Sequence, residues 1–279
     1  MKILFHVFGI PIHFFGVMIA IGVLAGAYIA YIEAKRKGLN TDKLLDIILY
    51  SVVSGIIGAR LFYILFYNLS YYIENPAAIF MINEGGLSIH GGLLTAFIVS
   101  LIYVRKHKLN FFRYADAVAP GIILGQGIGR VGCDVFGKVM ATPLPWGIKY
   151  RGQIVHPAQV YEFVLNYLVF FVLWRKRKNI QYDGQLFIWY IILFAINRGI
   201  VELFRTNPLI FGWFSVAHLL SVVFIIGAFI VMSLIKRGYF TANVNATTAV
   251  EKDTTLIKDI LVVLGLTIVS IIIYYTVQS

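Results

Sequence analysis

The chain has 279 residues, 59% of them hydrophobic and only 13% charged, with a mean hydropathy of +0.82. That composition excludes a soluble domain, and the apolar residues come in blocks of about 20, the length that crosses a bilayer as a helix. The net charge of +11 does not point to nucleic acid, because most basic residues sit in short clusters between apolar blocks and anionic membrane lipids are their expected partner.

Eight spans are predicted in chain order, over 12–33, 45–67, 86–104, 115–134, 158–174, 185–204, 212–235 and 256–275. The first is read as a spanning helix rather than a cleaved signal peptide, since its apolar run ends in Lys35, Arg36 and Lys37. Basic clusters follow the first, third, fifth and seventh spans, so all four fall on one side. The charge rule makes that side the cytoplasm and puts the N-terminus outside. The expected fold class is therefore all-α, a polytopic membrane helix bundle of seven core transmembrane helices plus an additional C-terminal one. The expected organisation is a membrane core over 1–238, a polar linker over 239–255 and an extra helix over 256–279. Beyond Lys258 and Asp259 at its start, that last segment carries no charge and reads as a lipid-facing appendage without chemistry. No internal repeat of the kind many transporters carry is visible.

The run from Pro120 to Gly137 holds Gly121, Gly125 and Gly129 at every fourth position, on one helix face. Small residues so spaced let membrane helices approach to backbone contact. Arg130 stands in the same run, where a charge needs a partner, a water-filled cavity or an anionic substrate.

Few other charges lie away from the cytoplasmic clusters. Arg60 is in the second span and His90 near the outer end of the third, with glycine pairs on both sides. Glu162 opens the fifth span, and Arg198, Glu202 and Arg205 share a face of the sixth at i, i+4 and i+7. Arg198 and Glu202 can neutralise each other as a structural pair. Four arginines nevertheless outnumber two glutamates, and the natural occupant of such a surplus is a phosphate, whose oxygens match the guanidinium fork. His90 is either a packed, hydrogen-bonded residue or a base able to take a proton near neutral pH. His13 and His218 are read as packing residues, and Cys133, the single cysteine, as a small buried thiol. No metal or cofactor is expected, since ligand spacings such as HExxH are lacking and GQGIGR has no strand–helix context.

Together these segments resemble the prolipoprotein diacylglyceryl transferase family over about residues 10 to 237. The pieces are HFFG at 13–16, GARLFYILFYN at 58–68, GGLSIHGGL at 85–93, GRVG at 129–132, HPAQVYE at 156–162 and NRGIVELFR at 197–205. The resemblance implies a bacterial inner-membrane enzyme with its site toward the outer face. It would move diacylglyceryl from phosphatidylglycerol to the lipobox cysteine of a prolipoprotein signal peptide. It places the important histidine on His90, the important arginines on Arg130 and Arg198, and the family's sixth-span glutamate and arginine on Glu202 and Arg205; the charge surplus adds Arg60 to Arg130, Arg198, Arg205 and Glu202 as expected headgroup-binding residues. Gly91, Gly92, Gly129, Gly132 and Glu162 are expected in support. The chain departs from the family pattern at Phe15 and Phe194, where tyrosines are usual, at Cys133 for asparagine, at Ala141 for glycine and at His218 for glutamine. The competing readings are an anion or lipid transporter and a non-catalytic lipid-binding scaffold.

Overall fold

The computed structural model describes residues 2–7, 9–81, 85–237 and 256–278, so the linker expected over 239–255 lies outside the described residues. The long helices are α1 (Phe14–Arg36), α2 (Thr41–Tyr67), α4 (Ile89–Lys106), α5 (Phe111–Val131), α6 (Ala158–Lys176), α7 (Gln185–Glu202), α8 (Val216–Lys236) and α9 (Leu256–Gln278), with a short α3 (Leu69–Glu74) after α2. Each apolar block is thus helical, and this is an all-α polytopic membrane protein.

Among the described residues, six helices are long and apolar enough to cross a bilayer: α1, α2, α4, α7, α8 and, over Leu256–Val277, α9. Helices α5 and α6 fall short because they carry polar side chains. Those side chains are buried in protein: Asp116, Gln159, Glu162 and Asn166 are all at most 2% exposed. A helix turned toward the protein interior tolerates what a lipid-facing one does not. Exposed apolar residues such as Leu49 and Phe66 in one part of the chain and Phe224, Ile257 and Ile272 in another present the surface expected against lipid tails.

The chain forms two compact units, residues 31–114 and residues 1–30 with 115–279. In the first, α2 and α4 pack through glycines. A Cβ on Gly91 would come within 2.6 Å of the Gly58 carbonyl oxygen, and one on Gly92 within 3.1 Å of that of Gly55. Asn40 caps α2 by accepting the Lys43 N–H at 2.9 Å.

In the second unit, a Cβ on Gly22 would lie 2.5 Å from the Gly125 carbonyl oxygen and one on Gly26 2.6 Å from that of Gly121. Two of the three glycines expected to admit a neighbouring helix do so, with α1 as that neighbour; Gly129 meets only Ile19, at ordinary contact distance. Asp116 accepts the N–H groups of Gly184 and Phe187 at 2.9 and 3.0 Å, placing a carboxylate at the positive end of α7. Phe163, Tyr167, Leu173, Leu186 and Val201 form the surrounding core.

Three short antiparallel hairpins were not expected: β1 (Ile3–Val7) with β2 (Ile10–His13), β3 (Ile148–Tyr150) with β4 (Gln153–Val155), and β5 (Leu209–Phe211) with β6 (Phe214–Ser215). Nor is α9 a plain appendage. One face looks outward, and the other packs on α6, burying Val263 and Tyr274 in the core.

Candidate active site

Within the second unit, the ends of α5, α6 and α7 bring together Arg130, Glu162, Arg198 and Glu202. Arg130 is the penultimate residue of α5, and its Nε donates to Glu162 Oε1 at 2.9 Å. Its Nη1 lies 3.6 Å from Cys133 Sγ. Arg198 Nη2 meets Glu202 Oε2 at 2.7 Å, the i,i+4 pair expected on α7. Helix α7 stops at Glu202, so Arg205 sits in the following turn rather than on the same helical face. Its Nη1 is 3.9 Å from Glu162 Oε2 and its Nε 3.9 Å from Glu202 Oε2.

Three guanidinium groups therefore gather on two buried carboxylates. The pairing leaves donors over: Arg198 Nη1 and Arg205 Nε and Nη1 are buried without a hydrogen-bond acceptor. Each such group costs about 1–3 kcal/mol relative to a satisfied one. Burial and the adjacent Arg198 charge pull the Arg205 guanidinium below the usual arginine range. The cluster is held together against its own repulsion, and an anion with several oxygens relieves both penalties at once.

Glu202 is anchored by residues that the sequence did not single out. Asn207 Nδ2 donates to both of its oxygens at 2.7 and 3.0 Å, and Ser215 Oγ donates to Oε1 at 2.8 Å. His218 is more than a packing residue. Its Nδ1 accepts the Ser215 N–H at 3.2 Å, which leaves the ring proton on Nε2 in the neutral form. The ring also stacks on Phe214. The signal available was the Ser-x-x-His spacing at 215–218, a variant of the capping box. Gly132 lets α1 come close, since a Cβ there would meet Met18 Cβ at 2.8 Å.

The other unit holds His90, Gly91, Gly92 and Arg60. His90 is the second residue of α4 and is exposed; Gly91 and Gly92 serve the packing of α4 on α2 that fixes its position. Arg60 corrects an expectation. It is 6% exposed, and its Nε donates to the carbonyl of Ile79 at 3.0 Å. Its Nη1 donates to Gly85 and Gly86 at 2.7 and 3.0 Å, and its Nη2 to Ala78 and Met81 at 2.5 and 3.3 Å. The guanidinium lies 5.0 Å from the Tyr72 ring centroid. An arginine has five N–H donors, and all five are used, so none remains for a headgroup. Gly85 and Gly86 adopt φ of +93° and +73°, and a Cβ on Gly86 would meet Arg60 Nη1 at 2.5 Å, so glycine suits both positions.

Comparison with known proteins matches residues 2–234 to the family model for prolipoprotein diacylglyceryl transferase. The phosphatidylglycerol–prolipoprotein diacylglyceryl transferase of Clostridioides difficile is 40% identical over 231 residues, covering 82% of this chain and 93% of that protein. That of Finegoldia magna is 36% identical over 239 residues, covering 85% and 96%, and that of Staphylococcus haemolyticus 36% over 243 residues, covering 82% and 86%. With a family model that spans most of its length and full-length relatives at this identity, the chain belongs to the prolipoprotein diacylglyceryl transferase family.

Proposed function

We propose that this protein transfers the diacylglyceryl group of phosphatidylglycerol to the lipobox cysteine thiol of prolipoproteins, the first step of bacterial lipoprotein maturation. In this reading the core over 1–238 crosses the cytoplasmic membrane with its N-terminus outside and its site toward the outer face. The basic last turns of α1, α4, α6 and α8, every second long helix, support that orientation.

The observation that carries the reading is the set of buried, acceptor-free N–H groups on Arg198 and Arg205, beside the Arg130–Glu162 pair. A phosphodiester headgroup supplies the missing acceptors. The thiolate sulfur attacks the glycerol carbon bonded to the phosphate oxygen. The C–S bond forms as the C–O bond breaks, and glycerol phosphate leaves with the electron pair. Charge grows on the leaving phosphate in the transition state, where the prepositioned Arg130, Arg198 and Arg205 stabilise it most. His90 takes the thiol proton, which matters because a free thiol with pKa near 8.5 is only a minority thiolate at pH 7. Glu162 and Glu202 keep the guanidinium groups aimed and moderate their repulsion.

Membranes bearing the protein are expected to convert a lipobox peptide to its diacylglyceryl thioether with phosphatidylglycerol as donor, read by mass analysis. Arg130→Ala is expected to abolish the product, and His90→Gln to lower turnover most at the acid end of a pH 6 to 9 profile. Lipid or anion flux without a covalent product would sink this reading in favour of a transporter.

A further inference from the structure

Helix α9 begins at Leu256, beyond the residues 2–234 matched to the family. It is nevertheless joined to the site-bearing unit by polar contacts at five points along its length. Asp259 Oδ2 meets Arg175 Nη1 at 3.4 Å, and Ser270 Oγ meets the Tyr167 hydroxyl at 2.9 Å. The Tyr274 hydroxyl donates to Gln159 Oε1 at 3.1 Å, and the Tyr275 hydroxyl to the Trp146 carbonyl at 2.5 Å. The Val277 carbonyl accepts from Lys2 Nζ at 2.6 Å. A membrane helix held by apolar contact alone slides and rotates cheaply, since lipid offers the same contacts; spaced hydrogen bonds fix its register.

The Tyr274 contact leads toward the arginine cluster by way of α6. Tyr274 and Gln159 are 0% and 1% exposed. Gln159 precedes Glu162 by three residues on α6, so the two side chains share a face. Glu162 in turn holds Arg130. Trp146, whose carbonyl Tyr275 engages, donates its indole N–H to the Tyr161 hydroxyl at 3.0 Å, which secures the residue next to Glu162 from the same helix.

We propose that α9 is a working part of the transfer site and that Tyr274 is a positioning residue, acting through Gln159 and Glu162 on the Arg130 guanidinium. This inference rests on the transferase reading above. It differs from simple docking, in which α9 would only add stability.

The test uses full-length protein carrying Tyr274→Phe or Gln159→Met, with Ser270→Ala as the control that loosens α9 away from Glu162. Turnover of a lipobox peptide is one readout. The other is labelling of Cys133, the single native cysteine and a neighbour of Arg130, by N-ethylmaleimide. Tyr274→Phe and Gln159→Met are each expected to lower kcat about fivefold with KM for phosphatidylglycerol held within about twofold, because misaimed groups cost rate more than binding. Labelling of Cys133 rises in both and stays unchanged in Ser270→Ala. The double variant is no worse than either single one, since one bond is lost in all three. Native kcat and labelling in Tyr274→Phe, or equal changes in Ser270→Ala, overturn the proposal. Should Tyr274→Phe fail to accumulate, Gln159→Met decides on the same readouts. A native protein without turnover would instead remove the transferase reading, and Cys133 labelling would still decide whether Tyr274 holds the Arg130 environment.

Discussion

Arg60 gives all five of its N–H donors to backbone carbonyls and leans on the Tyr72 ring, while Arg130, Arg198 and Arg205 crowd onto two carboxylates and keep donors to spare. The two arrangements answer the same problem, a permanent charge in an apolar chain, with different results. Carbonyls satisfy the guanidinium locally and tie residues 78–81 and 85–86 to α2. Shared carboxylates hold a charge surplus in place. Only the second has anything left for a ligand, so a buried arginine is informative about binding after its donors have been counted, not before.

Alanine substitution separates the two environments most sharply. Arg198→Ala is expected to lower kcat/KM at least about a thousandfold in the lipobox peptide assay, with the melting temperature in detergent changed little, because a donor aimed at transition-state charge is lost. Arg60→Ala is expected to do the reverse: five carbonyls lose their donor, folded protein falls by about 3 kcal/mol or more, and the surviving folded fraction binds phosphatidylglycerol normally. Equal KM changes in the two variants would erase the distinction.

Lysine substitution sharpens it. Arg198→Lys keeps charge but loses the fork, and turnover should fall about tenfold to a hundredfold. Arg60→Lys offers three donors to five carbonyls and should show as a lower melting midpoint with unchanged KM. A smaller effect is expected at the α1–α5 contact. Gly125→Val pushes a side chain into the Gly22 carbonyl and should cost about 1–3 kcal/mol, measured as thermal stability. Smallest of all, His218→Gln should stay within about threefold of native turnover, since a glutamine oxygen can take over the Ser215 N–H. His218→Leu leaves that N–H without its acceptor and should loosen Glu202, at a cost of about tenfold.

Much of this molecule was legible in its sequence. Among the described residues, hydropathy blocks located eight long helices to within a few residues; α9, expected over 256–275, runs Leu256–Gln278. The Arg198–Glu202 pair followed from spacing alone. The hairpin β1–β2 did not, because an extended apolar run and the start of an apolar helix have the same hydropathy; Ile12 and His13 were absorbed into the first span, just as Trp213 and Phe214 were absorbed into the seventh. The carbonyl cage around Arg60 was invisible for a different reason. Its acceptors are backbone atoms 18 to 26 residues away, and a carbonyl carries no mark in the sequence. The role of Ser215 depends on a chain reversal at Gly212, whose φ of +52° lies between β5 and β6, and Asn207 reaches Glu202 from five residues along, ahead of that reversal.

The bond between Lys2 and Val277 joins residues 275 positions apart. Synthesis proceeds from one toward the other, so this contact cannot close until Val277 has left the ribosome, after all the residues between the two. The helix that carries Tyr274 and Tyr275 is synthesised after the other described helices. If α9 braces the site as proposed, the arginines of α5 and α7 emerge before the tyrosine that aims them, and activity would follow the docking of α9.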